Sequence, residues 1–383
     1  MAYPSLDQYN EALQSPQLVL LDRELQAGSL KTTGLGLPLA LCGGFALTYT
    51  VNVGSAKRFA LRCFHKESAE LERRYQAISA RLKQLKSPYF LPFEFIPKGI
   101  RIQGNIFPIV KMAWASGLTL GEFLEKEHGN SSSLGRLRNA LAQLATYLEH
   151  EGLAHGDIQP GNVMVSPDGG TIQLIDYDGM FVESLRGSKA TELGQLNFQH
   201  PKRAATDFNE RLDRFSFLSL DIALQALALD RQLWKSSRCD PDALVFRRND
   251  FLDPGSSAVF NSVMKMPTVG THAKNLAQVA VASFQQIPSL ADFLQQKGIP
   301  TNVVVFTPHS KSSVIAYQGP YPVCLATDYG SVEAQVGSRI ELVGQIHSFR
   351  RAYAKNGQPY VFVNFSDWRG KGVKLTIWSD GLQ

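Results

Sequence analysis

The sequence predicts a mixed α+β protein with more than one domain, and three observations support that prediction. The chain has 383 residues, enough for two or three domains of about 150 residues each. Strand-like runs come first, helical periodicities follow, and strand-like runs return near the end. Hydrophobic residues make up 44% and charged residues 19% of the chain, which argues against a fibre, a coiled coil or wholesale disorder.

The first third of the chain is predicted to form a sheet with one long helix. Residues 37–64 read as short strands interrupted by turn residues. Apolar residues then recur at spacings of four and three, which predicts a helix over residues 68–85 that stops before Pro88. Two further strands are predicted over residues 93–102 and 105–112.

The middle of the chain is predicted to be mainly helical. Residues 134–152 carry leucines on one helical face, and residues 215–229 form another apolar helix. Between them, residues 166–170 suit the reversing turn of a small hairpin. Residues 298–333 are interrupted by proline and glycine, so we expect a connector, with a short strand over Val303–Phe306.

Charge, cysteines and hydropathy limit the class of protein. Residues 336–383 hold seven basic and three acidic residues and so account for +4 of the net charge of +5. The four cysteines form no C-x-x-C pair, so neither a disulfide framework nor a zinc site is expected. No apolar run has the length of a membrane helix and the start lacks a secretory signal. We expect a cytoplasmic protein with no membrane partner.

Two acidic motifs carry the strongest chemical signal. Residues 155–162 read His-Gly-Asp-Ile-Gln-Pro-Gly-Asn, and residues 174–179 read Leu-Ile-Asp-Tyr-Asp-Gly. A carboxylate and an amide five residues apart, followed by a carboxylate after a hairpin, suit phosphoryl transfer. One aspartate then orients the accepting hydroxyl, while the asparagine and the other aspartate hold magnesium. A turn that merely caps a helix is the alternative.

These motifs resemble the catalytic loop and metal-binding segment of the protein kinase-like superfamily. The resemblance implies a two-lobed kinase-like fold, with an N-lobe over residues 1–115 and a C-lobe over residues 116–297. It implies ATP and Mg²⁺ as cofactors. It also implies that Asp157 is the catalytic base and that Asn162 and Asp176 hold the metal.

Other segments resemble the nucleotide-binding parts of the same superfamily. Residues 43–49 look like a degenerate glycine-rich loop, and Phe59-Ala-Leu-Arg62 is similar to the third-strand V-A-I-K with Arg for Lys. Residues 110–117 resemble the hinge that meets adenine. The resemblance gives Arg62 a phosphate contact. The residues that it implies for nucleotide binding are Gly43, Gly44, Phe45, Arg62, Met112, Ala113 and Ala115.

Residues 212–216 resemble the D-x-W-S pattern of the central helix of the large lobe. The resemblance implies that Asp213 holds the backbone of the catalytic loop, a structural role rather than a chemical one.

Four departures from the kinase pattern keep several functions open. Arg62 replaces a lysine, and Ile78 stands where its partner glutamate is expected. Gly156 replaces an arginine that reads a phosphorylated segment, and Gln159 replaces a lysine near the transferred phosphate. The intact acidic residues favour a bacterial serine/threonine protein kinase of eukaryotic-like type. The departures favour a nucleotide-binding pseudokinase that acts as a switch or scaffold, and the form H-G-D-x-x-P-G-N is also similar to small-molecule kinases.

The tail, residues 334–383, is predicted to be a small all-β domain. Alternating residues predict strands over 337–347, 360–365 and 373–378, and the tail resembles a nucleic-acid-binding OB-fold. A five-stranded barrel needs one more strand, which either the connector supplies or a chain extending beyond Gln383 supplies.

Basic and aromatic residues interleave in this tail, as needed to neutralise phosphates and stack bases. Single-stranded nucleic acid is therefore one expected partner, and a protein-docking or spacer role is the alternative. The basic residues are Arg350, Arg351, Lys355, Arg369 and Lys371, and the aromatic residues are Tyr353, Tyr360 and Trp368.

Overall fold

The computed structural model shows a mixed α+β protein, as the sequence predicts. The structure describes residues 3–42, 46–55, 57–65, 69–237, 239–240, 242–306, 319–326, 328–335, 338–344, 346–353, 359–365 and 372–378. The chain divides into two compact units, Met1–Phe246 with Asp250–Thr307, and Arg247–Asn249 with Pro308–Gln383. Across the described ranges, no helix combines the length and the apolar character that a bilayer crossing requires.

An antiparallel sheet of six strands forms the first part of the first unit. The strands are β1 (Ser29–Leu30), β2 (Ala40–Cys42), β3 (Ala46–Val53), β4 (Lys57–Phe64), β5 (Phe93–Ile102) and β6 (Asn105–Ala113). They pair in the order β1-β3-β4-β6-β5, with β2 also on β3. Gln103 and Gly104 join β5 to β6 with φ of 50° and 81°, values typical of a tight hairpin turn. The two strands predicted here are confirmed.

Helices form most of the rest of this unit, together with a small three-stranded sheet. The helices are α1 (Leu6–Ala12), α2 (Pro16–Val19), α3 (Arg23–Gln26), α4 (Ala69–Leu85), α5 (Leu120–Glu127), α6 (Ser131–His150), α7 (Arg214–Leu229), α8 (Leu233–Ser236), α9 (Arg248–Leu252), α10 (Ala258–Val263), α11 (Gly270–Val281) and α12 (Leu290–Leu294). The small sheet contains β7 (Leu118–Thr119), β8 (Val163–Val165) and β9 (Ile172–Leu174). Short 3₁₀ helices span Glu183–Leu185, Pro254–Ser256 and Phe284–Gln286.

The long helices predicted from apolar spacing are confirmed as α4, α6 and α7. On α4, Tyr75, Ile78 and Leu82 are buried, because residues three and four apart share one helical face. Helix α7 is apolar on nearly all sides and buries most of its residues, which is typical of a central helix surrounded by others.

Strand β4 separates two apolar clusters. Its residues Leu61 and Cys63 pack with the N-terminal helices α1 to α3, which cover one face of the sheet. Alternate residues of a strand point to opposite faces, so Arg62 projects from the other face. Phe64, on that same face, belongs to the large core that α4, α6 and α7 share. The sheet thereby directs Arg62 toward the acidic motifs.

Two parts of the first unit differ from the sequence prediction. Helices α1 to α3 were not predicted, since each is short and its apolar residues are few. The strand expected over Val303–Phe306 is wrong, because these residues pair with no described strand. Val303 and Val305 are exposed, whereas Val304 and Phe306 pack against the large core. The alternation that suggested a strand reflects one-sided packing on helices.

The second unit contains two small sheets. Its elements are β10 (Val323–Leu325), α13 (Tyr329–Glu333), β11 (Glu341–Val343), β12 (Ser348–Tyr353), β13 (Pro359–Asn364) and β14 (Lys374–Ile377). Strands β12, β13 and β14 form an antiparallel meander, and β10 pairs with β11 in parallel. Over the part of this unit that the structure describes, the sheets do not close into the barrel expected for the tail.

Candidate functional site

The loop that carries the first acidic motif is held by a buried carboxylate. The backbone N–H groups of His155 and Gly156 donate to the Asp213 side chain, at 2.5 and 2.8 Å. Asp213 is 4% exposed and directly precedes α7. Burial raises the pKa of Asp213, and the two donated bonds oppose that rise. The predicted contact between Asp213 and the backbone of this loop is confirmed.

Gly156 is a glycine for a steric reason. Its φ is +83°, and a Cβ at this position would lie 2.3 Å from the carbonyl oxygen of Gly179. No side chain fits there unless one of the two backbones moves. The loop of residues 155–162 and the segment after the second acidic motif are therefore packed backbone against backbone. This packing explains why position 156 holds glycine where the kinase pattern has arginine.

Three donors orient the Asp157 carboxylate. Its Oδ2 accepts from Gln159 Nε2 at 2.6 Å and from Asn162 Nδ2 at 2.8 Å. Its Oδ1 accepts from the backbone N–H of Gln195 at 2.7 Å. The side chain of Gln159 thus binds Asp157, where the kinase pattern has a lysine. Asp157 is 9% exposed, so its carboxylate is fixed in one orientation at the edge of a largely buried site.

Asn162 and Asp176 are brought together by the hairpin of β8 and β9. The backbone N–H of Ile175 donates to the carbonyl of Asn162 at 3.0 Å, and Val163 pairs with Leu174 in the strands. Asn162 Nδ2 donates to Asp157, so its Oδ1 faces away from that bond and accepts no hydrogen bond from a described residue. The amide oxygen is thus available to a cation.

Asp176 adopts a left-handed backbone and exposes its carboxylate. Its φ is +63°, a conformation that aspartate tolerates better than most residues. Its side chain is 50% exposed, with Oδ1 3.3 Å from Arg62 Nη1. Desolvation and then the charge of Asp178 raise the pKa of Asp176, while Arg62 lowers it. A cation that binds here would relieve this repulsion between neighbouring carboxylates.

Arg62 makes its strongest contact with Asp178. Nη1 donates to Oδ1 at 2.5 Å and Nη2 to Oδ2 at 2.6 Å, a two-bond fork. Tyr75 of α4 donates its hydroxyl to Asp178 Oδ1 at 2.6 Å. Burial alone would lower the pKa of Arg62, but the charge of Asp178 raises it above its ordinary value. Three elements, β4, α4 and the segment after β9, therefore meet at one carboxylate.

The lysine–glutamate ion pair of the kinase pattern is absent from α4 in the described structure. Ile78, at the position counted for that glutamate, is fully buried in the apolar core. The sequence motifs did not indicate Tyr75 and Asp178 as site residues. One signal was available, because an arginine in place of the lysine favours a partner with two coplanar oxygens, and Asp178 follows Asp176 by two residues.

The hinge-like segment presents one unused backbone donor. Met112 pairs with Ala60 of β4 and is partly buried on the face that carries Arg62. The N–H of Ala113 donates to Pro92 at 2.9 Å. The N–H of Ala115 has no acceptor among the described residues. Among the described residues, the N–H of Ala115 is therefore unused and can donate to a ligand.

The phosphate-loop residues of the prediction, Gly43, Gly44 and Phe45, lie outside the described residues. Of the residues predicted to bind nucleotide, the structure therefore describes Arg62, Met112, Ala113 and Ala115.

A later loop closes over the acidic residues. Gly194 has φ +73°, and a Cβ there would lie 2.7 Å from Asp157 Oδ1, so the loop backbone rests directly on that carboxylate. Glu192 comes from the same loop and lies beside Gly179. Partial desolvation, followed by the charge of Asp178, raises the pKa of Glu192 to about 7. The site therefore concentrates negative charge and favours cationic ligands.

The candidate metal ligands fit magnesium that is shared with a phosphate ligand. In the described ranges, no three or more His, Cys, Asp or Glu side chains are grouped to hold a metal by themselves. Mg²⁺ commonly takes one or two protein carboxylates and completes its shell with waters and substrate phosphates. Asp176, with its exposed carboxylate, and Asn162, with its unused Oδ1, match such an incomplete set.

A scan of the sequence against protein-family models gives no match, and a search of curated proteins gives none either.

Proposed function

We propose that this chain is an ATP- and Mg²⁺-dependent phosphotransferase of the bacterial eukaryotic-like serine/threonine protein kinase type, with a two-lobed kinase-like domain. One observation carries the proposal: Asn162 binds Asp157, and a short hairpin sets Asp176 beside them. The sheet directs Arg62 to the same point, 3.3 Å from Asp176. This arrangement supports the proposal, since phosphoryl transfer needs a base, oxygen ligands for a cation and a phosphate-binding cation within one site.

Each side chain has a distinct task in this proposal. Asp157, fixed by its three donors, accepts the proton of the acceptor hydroxyl as that oxygen attacks the γ-phosphorus and the bond to the bridging oxygen breaks, so that ADP leaves. Asn162 and Asp176 would hold Mg²⁺, which would neutralise charge on the phosphates. Arg62 contacts phosphate, and the free N–H of Ala115 donates to adenine.

A phosphotransfer assay tests the proposal. The protein is incubated with γ-labelled ATP and Mg²⁺, alone and with generic protein and small-molecule acceptors. We expect label on serine or threonine, and a loss of about 10² or more in turnover for Asp157→Asn. Asp221→Asn is the matched control, since the buried carboxylate of Asp221 on α7 accepts from Arg138 and Gln225, neither of which belongs to the proposed site. Equal turnover in the two variants would reject Asp157 as the base, and transfer to small molecules alone would reassign the substrate.

A nucleotide-binding pseudokinase is the second candidate, and one observation favours it. Both Nη atoms of Arg62 are engaged by Asp178, and Gln159 occupies Asp157 Oδ2. In that arrangement the protein binds ATP as a switch or scaffold without transferring phosphate. Demonstrable ATP binding together with no transfer to any acceptor would establish this function instead.

For the tail we propose an OB-like module that binds single-stranded nucleic acid. Strand pairing sets Arg350, Phe362 and Thr376 side by side on one face of the meander. On that face, Tyr360 packs against Phe362 and Trp378, with ring centroids 5.1 and 5.0 Å apart. Phe362 is 40% and Trp378 58% exposed. Exposed rings beside a cation suit base stacking next to a phosphate.

Several residues expected to bind nucleic acid lie outside the part of the chain that the structure describes. They are Lys355, Trp368, Arg369, Lys371 and the side chain of Tyr353. The proposal therefore rests on Arg350 and the three rings of the meander.

A further inference from the structure

Three departures from the kinase pattern bear on the counter-ion of Arg62, and two of them, Arg62 and Asp178, bind each other. Arg62 replaces the lysine, Ile78 replaces the glutamate of the helix, and Asp178 stands where the pattern Asp-Phe-Gly has glycine. We propose that Asp178 and Tyr75 are positioning residues that hold Arg62 for its contact with the nucleotide phosphates. This inference rests on the proposed function. The kinase pattern pairs the phosphate-binding lysine with a glutamate on the helix, whereas Arg62 pairs with Asp178 in the segment after β9.

The ion pair has the geometry that an arginine requires. Both Nη atoms reach both oxygens of Asp178, at 2.5 and 2.6 Å. The two side chains are only 15% and 23% exposed, so solvent screens their attraction weakly. A lysine ammonium could not span both oxygens in this way. The arginine at position 62 and the aspartate at position 178 thus suit each other, because two N–H groups of the guanidinium meet the two oxygens of the carboxylate.

No other anchor in the described structure holds the guanidinium as firmly. The contact between Arg62 Nη1 and Asp176 is longer, at 3.3 Å. The Nε of Arg62 is buried and has no hydrogen-bond partner. Without Asp178, a largely buried cation would keep only the longer contact to Asp176 and the face of the Tyr75 ring, 5.9 Å from the ring centroid, and its side chain would be free to change rotamer.

Tyr75 fixes the orientation of the Asp178 carboxylate. Its hydroxyl donates to Oδ1, the same oxygen that receives Arg62 Nη1. Tyr75 is 1% exposed, and its ring is packed between Phe64 and Phe93, with centroids 5.3 and 6.0 Å away. The hydroxyl is therefore held at one place, and the carboxylate that accepts from it is held as well.

Tyr75 stays a donor across the physiological pH range. Burial, followed by the charge of Asp178, raises the pKa of Tyr75 above its ordinary value. Helix α4 consequently remains coupled to the metal-binding segment through a neutral phenol, where the kinase pattern uses a charged side chain. A displacement of α4 would release Asp178 and, through it, Arg62.

A double-mutant cycle tests the inference, with Mg²⁺-ATP affinity measured by calorimetry and kcat/KM measured wherever transfer is detected. The variants are Tyr75→Phe, Arg62→Ala and their combination. Tyr75→Phe removes one oxygen and keeps the ring packing and every charge, so we expect it to fold. Loss of a hydrogen bond to a charged group should weaken Mg²⁺-ATP binding about tenfold. In the Arg62→Ala background the same change should have no further effect, because Tyr75 acts through Arg62.

Tyr9→Phe is the matched control. The Tyr9 hydroxyl is also buried and donates to the carbonyl of Phe64 at 2.7 Å, on the opposite face of the sheet. Both tyrosine variants should lose stability, but only Tyr75→Phe should lose Mg²⁺-ATP affinity. Additive effects in the cycle, or equal affinities for the two tyrosine variants, would overturn the inference alone. If the unmodified protein binds no Mg²⁺-ATP, the proposed function fails and the inference fails with it.

Discussion

Replacing Asp213 by asparagine should destabilise the protein by about 2–4 kcal/mol. Asp213 accepts two short hydrogen bonds from the backbone N–H groups of His155 and Gly156. Asparagine keeps one oxygen and turns an NH₂ group toward the second donor, so one buried N–H loses its acceptor. A hydrogen bond to a charged group contributes about 1.5–3 kcal/mol, and an unsatisfied buried donor costs about 1–3 kcal/mol. The gain from removing a buried charge offsets part of this sum.

Urea unfolding at pH 7 measures the effect by linear extrapolation. Asp221→Asn on the same helix is the control. The side chain of Asp221 is 6% exposed, but its partner Arg138 is 31% exposed and can turn to water, so Asp221→Asn should cost about 1–2 kcal/mol. If Asp213→Asn loses no more stability than Asp221→Asn does, the two short bonds do not hold the loop, and the role assigned to Asp213 is wrong.

Three further predictions address the ligands and the pH response. ATP should bind more tightly with Mg²⁺ than without, and Asp176→Ala should abolish that difference in calorimetry; equal affinities in the unmodified protein would remove the metal assignment. The pKa of Glu192 is raised to about 7 from an ordinary 4.5, so the folded state binds its proton more strongly than the unfolded state does. Its contribution to stability is complete below pH 4.5 and is lost as the pH rises through 7. The melting temperature should therefore fall more between pH 5 and 8 in the unmodified protein than in Glu192→Gln, and parallel curves would contradict this. For the tail, three to five phosphate contacts predict a slope of roughly −2 to −3.5 for log affinity against log salt with a labelled single strand. In fluorescence anisotropy, Arg350→Glu should flatten that slope and Trp378→Ala should weaken binding at an unchanged slope, whereas no binding at low salt would favour a protein partner.

Local patterns predicted the elements well. The apolar spacing that indicated a helix over residues 68–85 matches α4, and the turn residues Gln103 and Gly104 sit where β5 ends and β6 begins. Both signals arise within a few residues of chain, since they depend on helical periodicity and on turn geometry. The role of Asp213 was also predicted, because a whole motif specified it.

Long-range partners in the site could not be predicted in the same way. Tyr75 belongs to the apolar face of α4 by its spacing, and nothing local shows that its hydroxyl meets Asp178, which is 103 residues away. The extra carboxylate of Glu192 reaches the site only because Gly194 lets its loop rest on Asp157. Such contacts depend on tertiary packing, which residue spacing does not report.

The contact between Gly156 and Gly179 limits how this protein could acquire control by phosphorylation. An arginine that reads a phosphorylated segment cannot be introduced at position 156 by one substitution, because its Cβ would occupy the space of the Gly179 carbonyl. The loop would have to shift, and Asp157 and the bonds to Asp213 would shift with it. An engineered switch would do better to act on α4 through Tyr75, whose hydroxyl can be removed while the backbone stays in place.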